Sequence, residues 1–477
     1  MQFLHRLREL AHQCPGHPAV CDARGEWDYA VLLSRVEAAC THLRRQGVGP
    51  AAVVGLALDD EAEHLVATLA LLACGARQVV LATHDPAAVH QELAKRLAIS
   101  HVLARKGAGT LQAAAQVDWP PTVDPSESSH GSAPIVPATG SLVLKTSGTT
   151  GSSNLVAFDE VQIAAQAARH ADYGAERLLR MASIEHNNSK RHRLYCVWAG
   201  GTNVFRPARV EVVDFVLSQR VTCLDISRMH AADLAESPEA HRLGGIKLRT
   251  GGSAVPIGVR RAILSGVTRH LYVRYAASEC GAIAMALPTD HDADESSGQA
   301  LPGVELQVVG PDGRALPPGE TGEIRLRALG MATGYVDNPA QSALRFRDGW
   351  FYPGDMGMLR RDGQIIVQAR RDDMIVLNGL NIFPAEIERV LEGHPAVVEA
   401  AALPLPSLVH GQIPVAAVVL RAGEDVTGAE LRRYCHQHLG LRTPRRVLVL
   451  AQLPKNSQGK TVRRGLVAAF QTVGIAA

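Results

Sequence analysis

The chain has almost no net charge: 49 Lys and Arg stand against 47 Asp and Glu, a formal +2 over 477 residues. So small an excess gives no reason to expect nucleic acid or an anionic membrane surface as a partner. Long apolar runs are missing too, and none approaches the roughly 20 residues that cross a bilayer. Met1 to Arg8 (MQFLHRLR) carries charge inside its short apolar stretch, unlike a secretory leader. The eight cysteines (Cys14, Cys21, Cys40, Cys74, Cys196, Cys223, Cys280 and Cys435) never form Cys-x-x-Cys, and most lie in apolar runs. Buried thiols in a reducing compartment, the cytoplasm, are therefore expected. His186 and His192 have no companions at zinc-like spacing, so no metal centre of that kind is expected. A Walker loop is absent: Gly459-Lys460-Thr461 has Pro454 where the upstream glycine belongs.

A chain this long exceeds one hydrophobic core and predicts two or more domains. Helical spacing over 29–43 and 63–72 alternates with apolar β-prone runs at 52–58 and 79–81. That alternation predicts a layered, largely parallel α/β sheet. A Pro-, Ser- and Gly-rich connection, 119–140, then delivers the chain to Leu142-Val143-Leu144-Lys145-Thr146-Ser147-Gly148-Thr149-Thr150-Gly151-Ser152-Ser153-Asn154-Leu155-Val156. Two apolar runs here flank a loop of glycines and hydroxyls, whose backbone N–H groups suit anionic oxygens. A polar connection between strands would use the same residues, so the loop alone does not decide.

Further on, Asp159 can cap a helix whose start is expected near the anion site. Candidate strands follow at 221–225, 246–250 and 271–275, the middle one ending in Gly251-Gly252-Ser253. From 304 to 326 and from 356 to 369, short alternating runs broken by Pro-Asp-Gly, Pro-Gly and Asp-Gly predict antiparallel hairpins. Beyond Asp373 a compact pattern, with helices over 386–391 and 427–438 and strands over 397–402 and 415–420, is long enough for its own small core.

Taken together, these pieces resemble the adenylate-forming superfamily of acyl- and aryl-CoA ligases, luciferases and the adenylation domains of nonribosomal peptide synthetases. The resemblance covers nearly the whole chain. Thr146 to Gly151 looks like the family's phosphate loop, and Tyr275-Ala276-Ala277-Ser278-Glu279 its Tyr-Gly-x-Thr-Glu motif. Gly330 to Pro339 and Trp350 to Asp355 are similar to its next two signatures. Arg370-Arg371-Asp372-Asp373 with Asn378 to Glu388 resembles the hinge and following block, and Pro454 to Lys460 the C-terminal lysine loop. The implied fold is α/β with α+β elements: a large N-terminal domain (1–371) of layered sheets and helices, and a small, mobile α+β C-terminal domain (372–477).

By the same resemblance, a carboxylate attacks the α-phosphate of ATP, so charge neutralisation and in-line positioning dominate. Ser147, Gly148, Thr149, Thr150 and Gly151 would hold the β- and γ-phosphates. Ser278 would touch the α-phosphate and Glu279 would help hold Mg²⁺. Asp355 would accept the ribose hydroxyls, Arg370 would support them, and Tyr275 and Gly252 would flank the adenine. Lys460 would bridge the two reactants, and rotation about Asp372 would admit the thiol of CoA or of a carrier protein's phosphopantetheine. The acid pocket is expected around His186, Asn187, Gly251 and Ala276.

Three departures stand out. Asn154 occupies a place usually held by lysine, Ala276 replaces a glycine, and Ala369 replaces the glycine before the hinge arginine. Glu279, Asp355 and Lys460 are retained, which favours a working enzyme over a non-catalytic nucleotide-binding homologue. Amino-acid-activating relatives place an aspartate where Asn187 falls, and an amide cannot neutralise an ammonium, so an amine-free acid, aryl or fatty, is expected. Glu185 leaves an amine-bearing acid open. No Asp-Ser-Leu carrier signature occurs in the chain, so a carrier acceptor would be a separate protein, and a monomer or homodimer is expected.

Overall fold

The computed structural model describes residues 2–105, 111, 114–119, 139–146, 154–291, 295–377, 380–407, 411–455 and 461–472. Two sheets enclose a layer of helices. The first has nine strands, and its centre is parallel: Leu271–Ala277, Lys247–Gly251, Cys223–Ser227, Arg177–Arg180, Thr202–Val204 and Pro18–Asp22, in that spatial order. The second has six strands, in the order Ala115–Trp119, His101–Arg105, Val53–Ala57, Arg77–Val80, Ser141–Lys145, Leu155–Asp159. All its pairs are parallel except the last.

Between them lie the helices Tyr29–Arg45, Glu61–Ala73, Glu160–Ala167 and Asn187–Ala199, which share one hydrophobic core with strands of both sheets. The helix Glu61–Ala73 has contacts on every side, and 12 of its 13 residues are buried. This explains why its sequence is apolar all round rather than along one stripe.

The antiparallel region is a third sheet. Asp355–Leu359 and Ile365–Arg370 form the expected hairpin, turning at Gly363 with φ +82°. The stretch 304–326 differs from expectation. It holds one antiparallel pair, Val304–Val309 with Gly322–Ala328. Its Pro-Asp-Gly and Pro-Gly turns both lie in the connection, because Val309 and Ala315 make only an isolated bridge.

The C-terminal part builds separate clusters from Ile375 to Phe470. The long hairpin Val397–Ser407 with Gly411–Leu420 carries Arg446–Val449 on its edge and the helices Pro384–Glu392 and Gly428–Leu439 on its face. Among the described residues three ion pairs join this part to the rest: Arg228 to Glu392 at 2.6 Å, Arg389 to Glu295 at 3.0 Å and the more exposed Arg421 to Glu236 at 3.8 Å.

Candidate active site

The strand Ser141–Lys145 leads into the glycine loop and Leu155–Asp159 leads out, paired so that Lys145 faces Leu155 and Ser141 faces Asp159. Thr146 closes the loop's base by donating its N–H to the Asn154 carbonyl at 2.8 Å. The expectation that the Asp159-capped helix begins at the anion site is corrected here. Asp159 does cap it, with a full capping box to Gln162. However, it stands at the opposite end of the hairpin, four residue pairs or roughly 13 Å away. Ser147, Gly148, Thr149, Thr150 and Gly151 lie outside the described residues.

Asn154 has a definite job. Its Oδ1 accepts from Asn338 Nδ2 at 2.8 Å, while Asn338 caps the helix Pro339–Arg345. Leu155 also bridges Val336. The exit of the loop is therefore pinned to the segment that carries Tyr335. Lys145, at the entrance, is paired with Asp85.

Tyr275 to Glu279 continue from the parallel strand Leu271–Ala277, at the carboxyl end of the sheet where ligands of α/β folds gather. A bulge between Tyr275 and Ala276 breaks the pairing register there. Tyr275 donates its hydroxyl to Asp355 Oδ2 at 2.5 Å, and Arg370 Nη1 donates to Oδ1 of the same carboxylate at 3.1 Å. Each Asp355 oxygen thus has one fixed donor and one lone pair to spare, an arrangement suited to a diol. Glu279 is buried, its Oε1 accepts from Tyr335 at 2.8 Å, and burial raises its pKa.

Gly251 and Gly252 differ in why they are glycine. A Cβ at Gly251 would lie 2.4 Å from the Arg274 carbonyl, so close strand packing requires its absence. At Gly252, φ is +86° and a Cβ would meet nothing within 4 Å, leaving an open ledge beside Tyr275's strand.

The helix Asn187–Ala199 ties these parts together. Asn187 donates its side-chain amide to the Lys145 carbonyl at the loop entrance. One turn later, on the same face, Arg191 donates to the Ser278 carbonyl at 2.9 Å. Lys145, at the loop entrance, and Ser278 are thereby tied to two positions one turn, about 6 Å, apart along one helix axis. Glu185 is committed elsewhere, accepting from the Thr83 N–H at 2.8 Å and the Thr83 hydroxyl at 3.0 Å. His186 lies tilted against His84 with ring centroids 5.4 Å apart, and burial lowers its pKa.

Lys460 lies outside the described residues, between Lys455, which pairs with Glu399 at 3.0 Å, and Thr461, which bridges Lys455. The backbone of Asp372 sits in the single 3₁₀ turn Arg371–Asp373; its side chain is outside the description. Flanking residues are anchored on both sides: Arg371 to Glu323 at 3.0 Å and Asp373 to Arg463 at 3.5 Å. Two partners went unnoticed in the sequence. Tyr335 lies inside the Gly330–Pro339 signature, and Arg191 inside the run Lys190-Arg191-His192-Arg193, whose charge is at odds with a buried helix.

The donor set fits Mg²⁺ and a nucleotide. Among the described residues, no group of three or more His, Cys, Asp or Glu side chains could cage a metal. A single buried carboxylate, Glu279, completed by phosphate oxygens, is how Mg²⁺ is ordinarily held.

Residues 7–336 match the family described as AMP-binding enzyme, and residues 386–460 match the AMP-binding enzyme C-terminal domain. A sulfoacetate–CoA ligase of Cupriavidus necator is 30% identical over 345 residues, covering 70% of this chain and 68% of that protein. A 2-succinylbenzoate–CoA ligase of Geobacillus kaustophilus is 38% identical over 172 residues, 36% of this chain and 35% of that protein. The chain thus spans just over two thirds of the first relative's length and about one third of the second's. The fold matches ATP-bound MatB from Rhodopseudomonas palustris with a TM-score of 0.87 at 23% identity, covering 98% of this chain and 99% of that one.

Proposed function

The chain belongs to the family of AMP-binding enzymes, and from that premise we propose how its residues divide the work. It is an AMP-forming acid–thiol ligase. A carboxylate oxygen of the acid bonds to the α-phosphorus of ATP, the bond to the β-phosphate oxygen breaks, and pyrophosphate leaves. A thiol sulfur then bonds to the acyl carbon, AMP leaves with the former carboxylate oxygen, and the thiol proton goes to solvent or to AMP.

In this scheme Ser147 to Gly151 cradle the β- and γ-phosphates, with Thr146 closing the loop's base. Ser278 meets the α-phosphate. Asp355, oriented by Tyr275 and Arg370, takes the ribose, and the ledge at Gly252 takes the adenine. Glu279, oriented by Tyr335, holds Mg²⁺, which would offset triphosphate charge. Lys460 joins carboxylate to α-phosphate, and the C-terminal part, 372–477, turns about Asp372 to admit the thiol of CoA. The eight unpaired thiols support a reducing compartment, the cytoplasm; none of the described helices is long and apolar enough to cross a membrane.

The acid is amine-free. The observation behind this is the side-chain commitment around Asn187: its amide is spent on the Lys145 carbonyl, and the neighbouring Glu185 carboxylate on Thr83. The amide carries no charge to set against an ammonium group, and Glu185 is turned toward Thr83 and His84. A compact acid is favoured over a long fatty one, because Tyr173, Tyr195, His170 and His192 fill the space between the helix 187–199 and the first sheet.

ATP–pyrophosphate exchange over amino, aryl, short-chain and long-chain acids tests the scheme, with CoA consumption in the absence of any added protein testing the acceptor. Exchange with an amine-free acid is expected; exchange with an amino acid alone would overturn the substrate class.

A further inference from the structure

The helix Asn187–Ala199 carries four basic residues in succession, Lys190 to Arg193, and all four are buried. Successive helical residues point about 100° apart, so each enters a different wall. Lys190 reaches Gln78 Oε1 of the second sheet at 3.4 Å. His192 meets the Tyr173 hydroxyl at 2.7 Å. Arg193 donates to the Val204 carbonyl at 2.8 Å and stands 3.6 Å from Glu61. Arg191 alone points to the candidate active site.

Its Nη1 donates to the Ser278 carbonyl at 2.9 Å and to Gln166 Oε1 at 3.3 Å, and its guanidinium stands 5.5 Å from the Phe158 ring. Arg191 is 4% exposed. Among the described residues no carboxylate comes within ion-pair distance of it.

One buried carboxylate, Glu279, lies near enough for its charge and that of Arg191 to interact, without forming an ion pair. Arg180 and Arg274 share one carboxylate, Asp225, at 2.5 and 2.9 Å. Burial acts upward on Asp225, but the two guanidinium groups outweigh it and hold the carboxyl at about 2. Arg249 is paired with the half-exposed Asp172 and lies over the Tyr173 ring, while its Nε and Nη1 are buried with no hydrogen-bond partner among the described residues. Burial and the nearby arginines keep His170 and His192 neutral. The four buried arginines thus have two buried carboxylates near them, Asp225 and Glu279, and Arg191 forms an ion pair with neither. A buried guanidinium that bonds only neutral groups and stands beside a ligand site is poised for an anion.

We infer that Arg191 receives a second anionic group on the acid, so that the substrate is a compact carboxylic acid bearing another carboxylate, sulfonate or phosphate. The inference rests on the acid-activating scheme proposed above. Compactness follows from what lies behind Arg191: Gln166 bonds both Arg191 and the Tyr195 hydroxyl and donates to the Gly330 carbonyl at 2.6 Å, closing the route to a longer chain.

The test is pyrophosphate exchange with size-matched pairs: isocaproate against succinate, 3,3-dimethylbutyrate against sulfoacetate, 2-isopropylbenzoate against phthalate. Wild-type protein should favour one or more dianionic members at least tenfold in kcat/KM. Arg191→Met should collapse that ratio toward one, mainly through KM for the dianion, and Arg191→Lys should restore part of it. Melting curves and ATP binding check that both variants fold. Preference for the monoanions would overturn the inference while leaving the ligase scheme standing. So would an equal loss on both members of a pair in Arg191→Met, or a rise in KM for ATP alone. Exchange with no acid at all would overturn the ligase scheme itself, and the inference with it.

Discussion

Asp355 shows how a single hydroxyl can matter to a site. Tyr275→Phe removes the donor to Oδ2 but keeps the ring, leaving a nearly buried carboxylate oxygen short of one partner. That costs roughly 1–3 kcal/mol, and because the loss falls on the ribose holder, KM for ATP should rise about tenfold while kcat changes little. Steady-state kinetics at varied ATP check this. Lys190 makes a prediction of another kind. Burial lowers its pKa from 10.5 to about 7. Between those values the unfolded chain binds more protons than the folded one, so this group's contribution to stability rises with pH across that window. Below about pH 7 it is charged in both states and the full penalty remains. Lys190→Met should therefore stabilise the protein at pH 7, by on the order of 3 kcal/mol, with the gain shrinking toward pH 10. Thermal melts at pH 6 to 10 would show the trend.

At the scale of elements, the glycine loop owes its placement to attachments at its two ends. Asn338 serves twice, capping the helix Pro339–Arg345 and holding Asn154. Asn338→Ala removes the cap, at about 1 kcal/mol, and releases the loop exit, so KM for ATP should increase severalfold. Melting and kinetics together separate the two effects. The apolar periodicity of the helix Tyr29–Arg45 and the alternation at 355–370 were both plain in the sequence, because each element buries one face. The helix Asn187–Ala199 was not legible in this way. With buried residues around its circumference, its polar side chains find partners in both sheets, and no stripe marks it as helical. The position of Asp159 was misjudged for a related reason: a strand of five residues separates the loop from the cap, and only the pairing of Lys145 with Leu155 shows which end faces the ligand.

At the scale of the molecule, the ion pairs Arg228–Glu392 and Arg389–Glu295 hold the C-terminal part in the arrangement seen here. Glu392 lies largely buried, and its burial raises its pKa even with Arg228 beside it. Arg228→Ala leaves that carboxylate without its nearest cation and disfavours this arrangement relative to others. The ratio of acyl-adenylate formation to thioester formation should shift at least threefold, measured as two half-reactions at low salt. In the same assays Lys460→Ala should nearly abolish adenylate formation while thioester formation from supplied acyl-adenylate largely persists. Equal loss of both would remove Lys460 from its assigned place.

The order of the motifs along the chain, from the glycine loop to the C-terminal lysine, was enough to identify the family and to foresee layered sheets with helices and a small terminal domain. Those features are local, since each is written in a few consecutive residues whose spacing mirrors a helix, a strand or a turn. What only the folded chain decided were the partnerships between distant segments: Asn154 with Asn338, Tyr335 with Glu279, Glu185 with Thr83, and Arg191 with the Ser278 carbonyl but in no ion pair among the described residues. Charge balance in a protein interior depends on which side chains meet, and that is settled by packing rather than by position in the sequence.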